Sequence, residues 1–140
     1  MKFEIIIPTY KRVAKLEKLL NSIERTIGNR IGDIEIFIQF DNNDIQSFKD
    51  FMENGKSRVI DVNCGINEDR QMVFGVWNNH LQYVFKSDAL IVLSDDVEFV
   101  GKGLKYVIED FETHCGNTDW VMALNQKDPG HCASFAKMLS

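Results

Sequence analysis

Ala89-Leu-Ile-Val-Leu-Ser-Asp-Asp-Val-Glu-Phe-Val100 runs five apolar residues straight into two adjacent carboxylates. The apolar part has strand length, and its lack of polar alternation is that of a strand covered on both faces. Asp95 and Asp96 repel one another, and desolvation at the end of a buried strand would raise their pKa values unless a cation or strong donors compensate. The segment therefore implies something positive at its carboxyl end. The plainer reading is a turn, because Asp side chains bond nearby backbone donors.

Working outward, Lys2 to Ile7 reads as a second near-continuous apolar strand stopping at Pro8, and Ile34 to Phe40 (IEIFIQF) as a third. Arg58 to Val62 and Trp120 to Leu124 are shorter candidates, giving five strands in all. Between them Val13, Leu16, Leu20, Ile23 and Ile27 recur at helical steps before Gly28. Ile45, Phe48, Phe51 and Met52 repeat the pattern, as do Val73, Val76, Trp77, Leu81, Val84 and Phe85, and then Leu104, Val107, Ile108 and Phe111. Strands alternating with helices, without a two-residue hairpin signal, predict right-handed crossovers and an α/β fold: a three-layer α/β/α sandwich on a mainly parallel open sheet.

The 140 residues are the length of a single domain, and a hydrophobic fraction of 44% with 26% charged residues is that of a folded globular chain. A formal charge of -5 offers no basic face for a phosphate backbone, which argues against a nucleic-acid binder. No apolar run reaches the length of a membrane span, and MKFEIIIPTYKR lacks the features of a signal peptide, so a cytoplasmic location is the default expectation. Three cysteines at irregular spacing, Cys64, Cys115 and Cys132, suit reduced thiols. Two His-Cys pairs, His114-Cys115 and His131-Cys132, lack the spacing of a zinc site. His80 reads as a core-edge residue, and Trp77 and Trp120 as packing.

Open parallel sheets bind ligands at the carboxyl ends of their strands. The residues that follow the strands are Pro8, Thr9, Tyr10, Lys11 and Arg12; Asp41, Asn42, Asn43 and Asp44; Asn63, Cys64 and Gly65; and Ser94, Asp95 and Asp96. PTYKR has no glycine-rich phosphate loop, which removes most of the weight from dinucleotide and P-loop readings. Paired carboxylates offer another device, a hard divalent cation bridging to phosphate oxygens.

In this order the segments IIIPTYKR, IFIQFDNND, VNCGINEDRQ and VLSDDVEF resemble the motifs of nucleotide-sugar-dependent glycosyltransferases of the GT-A fold, in particular the large inverting group that includes cellulose and chitin synthases. The likeness covers about residues 3 to 100. It implies Asp96 as a metal ligand with Asp95 beside it, the ion being Mn2+ or Mg2+. It implies Asp95 on sugar or ribose, and Asp41 on the base. Thr9 and Tyr10 would line the base or ribose pocket, with Pro8, Arg12, Asn43 and Gly65 also on the nucleotide or sugar, and Arg70 on the diphosphate or sugar. The donor commonest in that family is a UDP-sugar; the acceptor is not legible.

The chain departs from the family pattern at Phe40, where a second acid is often found, and at Ser94, where an acid or another polar residue often opens the metal element, and it has no Q-x-x-R-W element. Little sequence follows Asp96, so a general base must come from few acids; Asp128, after a predicted strand, is the candidate. This leaves two expectations, a metal-dependent glycosyltransferase or a shortened GT-A-like domain serving as a nucleotide-sugar-binding or scaffold module. A nucleotidyltransferase of related fold is a third, weakened by the missing glycine-rich loop.

Overall fold

A computed structural model describes residues 1–55, 58–69, 71–115, 121–123 and 135–138. Its elements are β1 (Phe3–Thr9), α1 (Val13–Ile27), a 3-10 turn (Gly28–Asp33), β2 (Ile34–Phe40), α2 (Ile45–Asn54), β3 (Asp61–Ile66), α3 (Val73–Tyr83), β4 (Ala89–Val92), α4 (Gly103–Cys115), β5 (Val121–Ala123) and β6 (Phe135–Met138). The sheet order is β3-β2-β1-β4-β6-β5. The first four strands in that order are parallel, while β6 runs antiparallel to β4 and β5 antiparallel to β6. The expected three-layer, mainly parallel α/β architecture is the one observed.

Alternation along β1 sorts the layers. Phe3, Ile5 and Ile7 enter a core with Leu16, Leu19, Leu20 and Ile23 of α1, Phe51 of α2, and Leu104, Ile108 and Phe111 of α4. Phe3 meets Phe111 edge-on at 6.0 Å between ring centroids. Glu4 and Ile6 point to the other face, where Ile6, Leu90 and Val92 pack with Val76, Trp77 and Leu81 of α3. β1, between β2 and β4, is buried at every position, as its continuous apolar sequence demands.

The sequence expectations need correcting in two places. The third strand is Asp61–Ile66, not Arg58–Val62, so Asn63, Cys64 and Gly65 lie within it and not beyond it. Arg58 is drawn away by α1: its guanidinium bonds Asn21 at 2.8 Å and Glu24 at 3.0 Å, and also pairs with Glu17. β3 is an edge strand, so its partly exposed D-V-N-C-G-I needed no apolar run to pair with β2. The second correction is a sixth strand, β6, which enters between β4 and β5 and makes that side of the sheet antiparallel.

Glu4 is buried, yet fully partnered. One carboxylate oxygen lies 2.9 Å from His80 Nε2; the other accepts the backbone N–H groups of Lys86 (2.8 Å) and Ser87 (2.7 Å). Burial alone would raise its pKa, but these donors hold it below the ordinary carboxylate value. His80, expected at the core edge, is buried against this carboxylate and lies 4.6 Å from the Phe37 ring. The cluster fastens the end of α3 and the approach to β4 to the middle of the sheet.

The segment after the acidic pair is stitched to α1 by small polar side chains. The Phe99 N–H donates to Ser22 Oγ at 3.0 Å, and the Leu104 N–H to Thr26 Oγ1 at 3.1 Å. Arg25 donates to the Phe99 carbonyl at 3.0 Å. Gly103, with φ of 63°, sits against Thr26 and opens α4.

Candidate functional site

The carboxyl ends of β1, β2 and β4 bring their polar residues together. β4 is followed by Leu93, whose N–H continues the ladder to Ile6 and whose carbonyl accepts Trp77 Nε1 at 3.3 Å. This delivers Asp95 beneath the end of β1. There Thr9 Oγ1 donates to Asp95 Oδ2 at 2.9 Å, and Arg12 Nη1 to Asp95 Oδ1 at 3.2 Å. Arg12 Nη1 also stands 3.7 Å from Asp96 Oδ2, while the Ser94 hydroxyl bonds the other oxygen of Asp96. The positive partner that two adjacent carboxylates require is Arg12.

The two acids differ in environment. Burial pushes the Asp95 pKa up; the Thr9 hydroxyl, the Arg12 charge and the Tyr10 N–H oppose that without cancelling it. Asp96 is held low, chiefly by the Ser94 hydroxyl and against some desolvation, with Arg12 and Lys15 as nearby cations. Its side chain is 32% exposed, against 6% for Asp95. Asp95 is thus an anchor with its oxygens engaged, whereas Asp96 keeps lone pairs towards solvent.

Arg12 reaches the pair because of an unusual backbone step. Lys11 is the sole described non-glycine residue with a left-handed backbone, φ 52°, and it turns the chain from β1 into the start of α1. Its N–H is caught by Asp44 Oδ2 at 2.6 Å. A left-handed conformation costs a side-chain-bearing residue about 1 to 2 kcal/mol, so Lys11→Gly is expected to raise stability by up to about 1 kcal/mol after the glycine's extra unfolded-state freedom is counted. A thermal melt that rises by a few degrees meets this expectation; a fall would place the Lys11 side chain among the stabilising contacts.

The loop after β2 is also built on its own acids. Asp41 Oδ1 accepts the Asn43 N–H at 2.9 Å, and the Asp41 carbonyl accepts the Asp44 N–H at 3.0 Å. Asn42 Nδ2 donates to the Glu68 carbonyl at 3.1 Å, which leaves Asn42 Oδ1 buried without a partner among the described residues. Gln39 donates to Asn67 Oδ1 at 2.9 Å, tying β2 to the end of β3.

Of the residues expected at the site, Thr9, Tyr10, Arg12, Asp95 and Asp96 come together, and Asp41 and Asn43 sit on the loop joined to them through the Asp44–Lys11 bond. Tyr10 is exposed, with Lys11 Nζ 5.2 Å from its ring centroid. Pro8 is buried in β1 opposite Gln39. Gly65 lies in β3, where a Cβ would stand 2.5 Å from Gln39 Oε1, so the space beside it is taken by that side chain. Arg70 and Asp128 lie outside the described residues, as do His131, Cys132 and Trp120. Lys11, Asn42 and Asp44 were among the residues expected to follow the strands, but neither spacing nor the resemblance gave them a role. For Asp44, its position just before a helical stripe reads more simply as a helix cap.

A divalent ion suits the solvent-facing lone pairs of Asp96, with Asp95 beside it already bonded by Thr9 and Arg12, since Mg2+ and Mn2+ take hard carboxylate oxygens and leave positions for phosphate or water. Among the described residues no third His, Cys, Asp or Glu joins them, so phosphate or water would have to complete the coordination. Cys115 is buried and Cys64 half-buried, with no disulfide among the described residues; burial pushes the Cys64 thiol up to about 11. No described helix is long and apolar enough to cross a membrane.

No protein-family model matches the chain, and no curated protein matches it. Solved structures do. The S. aureus TarS fragment 1–349 in complex with UDP-GlcNAc aligns over 94% of this chain and 36% of its own, with 17% identity and a TM-score of 0.65. The mannosyltransferase PcManGT from Pyrobaculum calidifontis, in complex with GDP-Man and Mn2+, aligns over 72% and 29%, with 12% identity and a TM-score of 0.57. A 4-diphosphocytidyl-2C-methyl-D-erythritolsynthase from Anaerococcus prevotii DSM 20548 aligns over 98% and 70%, with 12% identity and a TM-score of 0.59. The chain spans about a third of the length of the TarS fragment 1–349. Sheet order, layer arrangement and these neighbours together identify the fold as that of the GT-A nucleotide-diphospho-sugar transferases.

Proposed function

We propose that the chain is the donor-binding part of a metal-dependent glycosyltransferase that passes a sugar from a nucleotide diphosphate to an acceptor hydroxyl with inversion. The observation that carries this reading is the convergence of Thr9, Arg12, Asp95 and Asp96 at the carboxyl edge of β1 and β4. Asp96, with Asp95, would hold Mn2+ or Mg2+, which supplies Lewis-acid neutralisation of the departing diphosphate. Asp95 also fixes Thr9 and Arg12 at the carboxyl edge of β1 and β4. In this reading Asp41 would hold the base, Asn43 would contact the nucleotide or sugar, and the exposed Tyr10 would line the base or ribose pocket. In this reading Arg70 would face the diphosphate or the sugar, Asp128 would act as base, the donor would be a UDP-sugar and the location cytoplasmic. Neighbours with bound UDP-GlcNAc and GDP-Man support a nucleotide-sugar pocket on this fold.

One observation favours the second reading, a binding or scaffold module: the acids after β2 and β4 are each already engaged, Asp41 with Asn43, Asp44 with Lys11, Asp95 with Thr9 and Arg12, and Asp96 with Ser94. None of them stands free as a base. A nucleotidyl-transfer reading draws on the synthase neighbour but lacks the glycine-rich loop after β1.

Calorimetric titration with UDP, GDP, UDP-GlcNAc and GDP-Man, with and without Mn2+, tests the proposal. Binding is expected to need the ion and to weaken at least about tenfold in Asp96→Asn, the loss of a charge-assisted contact. Binding indifferent to both the ion and Asp96 would end the metal-dependent reading. Binding without turnover for any acceptor would select the module.

A further inference from the structure

We infer that Arg12 is a built-in counter-ion for the acidic pair, one that a divalent ion must displace before it can occupy Asp96. The inference rests on the metal-binding reading of Asp96 and deepens it. A single guanidinium nitrogen serves both acids, 3.2 Å from Asp95 Oδ1 and 3.7 Å from Asp96 Oδ2. Two carboxylates facing one guanidinium keep a formal excess of negative charge, with Lys15 the other cation close to Asp96. The same Asp96 oxygen cannot face both the guanidinium and a metal ion without bringing two cations together, and like charges at such distances repel strongly near a protein surface.

Arg12 is suited to leave. Its side chain is 48% exposed, it stands at the N-terminal end of α1, and its contact with Asp96 is long. Asp95 stays fixed by Thr9 when the arginine moves, so the pair keeps its shape. The freed guanidinium remains tethered beside the ion, where its planar fork suits diphosphate oxygens. Ion uptake and diphosphate binding are thereby coupled through one side chain: the ion evicts Arg12, and the phosphate gives it a new partner.

The test uses Mn2+ alone, followed by the loss of the free-ion electron paramagnetic resonance signal, on the whole chain and its variants. Arg12→Gln is expected to bind Mn2+ about tenfold more tightly than the native chain, within the usual range of coupling between two sites. The gain is expected to disappear in Arg12→Gln combined with Asp96→Asn. Addition of diphosphate is expected to tighten Mn2+ binding in the native chain and to do so less in Arg12→Gln. Because the variant removes a contact to a buried acid, a second measurement needs no substitution: the Arg12 Nε–H resonance of the native chain is expected to shift as Mg2+ is added. Mn2+ affinity unchanged or weakened in Arg12→Gln, with uptake still lost in Asp96→Asn, overturns the counter-ion role and leaves the metal site standing. No uptake by either the native chain or Arg12→Gln at millimolar Mn2+ overturns both. An Arg12 resonance indifferent to Mg2+ that does bind overturns the displacement.

Discussion

Glu4→Ala is expected to lower the stability of the fold by about 4 kcal/mol, the scale of leaving several buried polar groups without their partner. The loss has three parts. The Lys86 and Ser87 N–H groups are left without their acceptor, and His80 faces an emptied space. Each buried donor without a partner costs about 1 to 3 kcal/mol. Glu4→Gln separates charge from geometry: its carbonyl can still accept the two backbone N–H groups and its amide can face His80 Nε2, so a loss near 1 kcal/mol is expected. The pH dependence follows from the sign of the shift. Because the folded Glu4 pKa is lowered, its contribution is fully present above the ordinary carboxylate value and is lost as pH falls through the folded value. Glu112, held low by the Arg30 guanidinium, behaves in the same direction. Urea titrations at neutral and acid pH should show the gap between native and Glu4→Ala closing as acidity rises; a gap that widened would assign Glu4 a neutral state in the fold.

Gly103→Ala is expected to cost about 3 kcal/mol, from a left-handed backbone worth about 1 to 2 kcal/mol and overpacking worth about 1 to 3 kcal/mol. A Cβ there would stand 2.1 Å from Thr26 Cβ and 2.5 Å from Thr26 Oγ1, the atom that accepts the Leu104 N–H. Gly101→Ala is the control. Its φ of 61° is nearly the same, but no atom lies within 4 Å of the added carbon, so only the backbone part is expected, about 1 kcal/mol. Equal losses in the two variants, read from denaturation midpoints, would show that Thr26 yields. The result bears on the site, because the Phe99–Leu104 stretch holds the segment that carries the acids against α1.

What could be read from the residues divides along physical lines. β1, β2 and β4 were legible because strands in the sheet interior need apolar side chains, and α1 because one stripe of it enters the core. β3 was misplaced by three residues since an edge strand pairs through its backbone and leaves no apolar signature. β6 was missed because F-A-K-M is only four residues long and carries no β-branched side chain, although Asp128-Pro129-Gly130 before it is a turn signal. At the site, the need for a cation beside Asp95 and Asp96 followed from charge alone, but its identity did not. Arg12 is 83 residues from Asp95, and its reach depends on the left-handed turn at Lys11, a residue type that gives no warning of one. Glu4 was hidden in an apolar strand because its donors are backbone groups, which every residue carries.

The bond from Trp77 to the Leu93 carbonyl has an optical consequence. The indole of α3 is fixed to the peptide two residues before Asp95, so its emission senses the polarity and charge around the acidic pair. With only two tryptophans in the chain, Trp120→Phe would make Trp77 a solitary fluorophore, and ligand arrival at the strand ends could be followed by light, with no label attached.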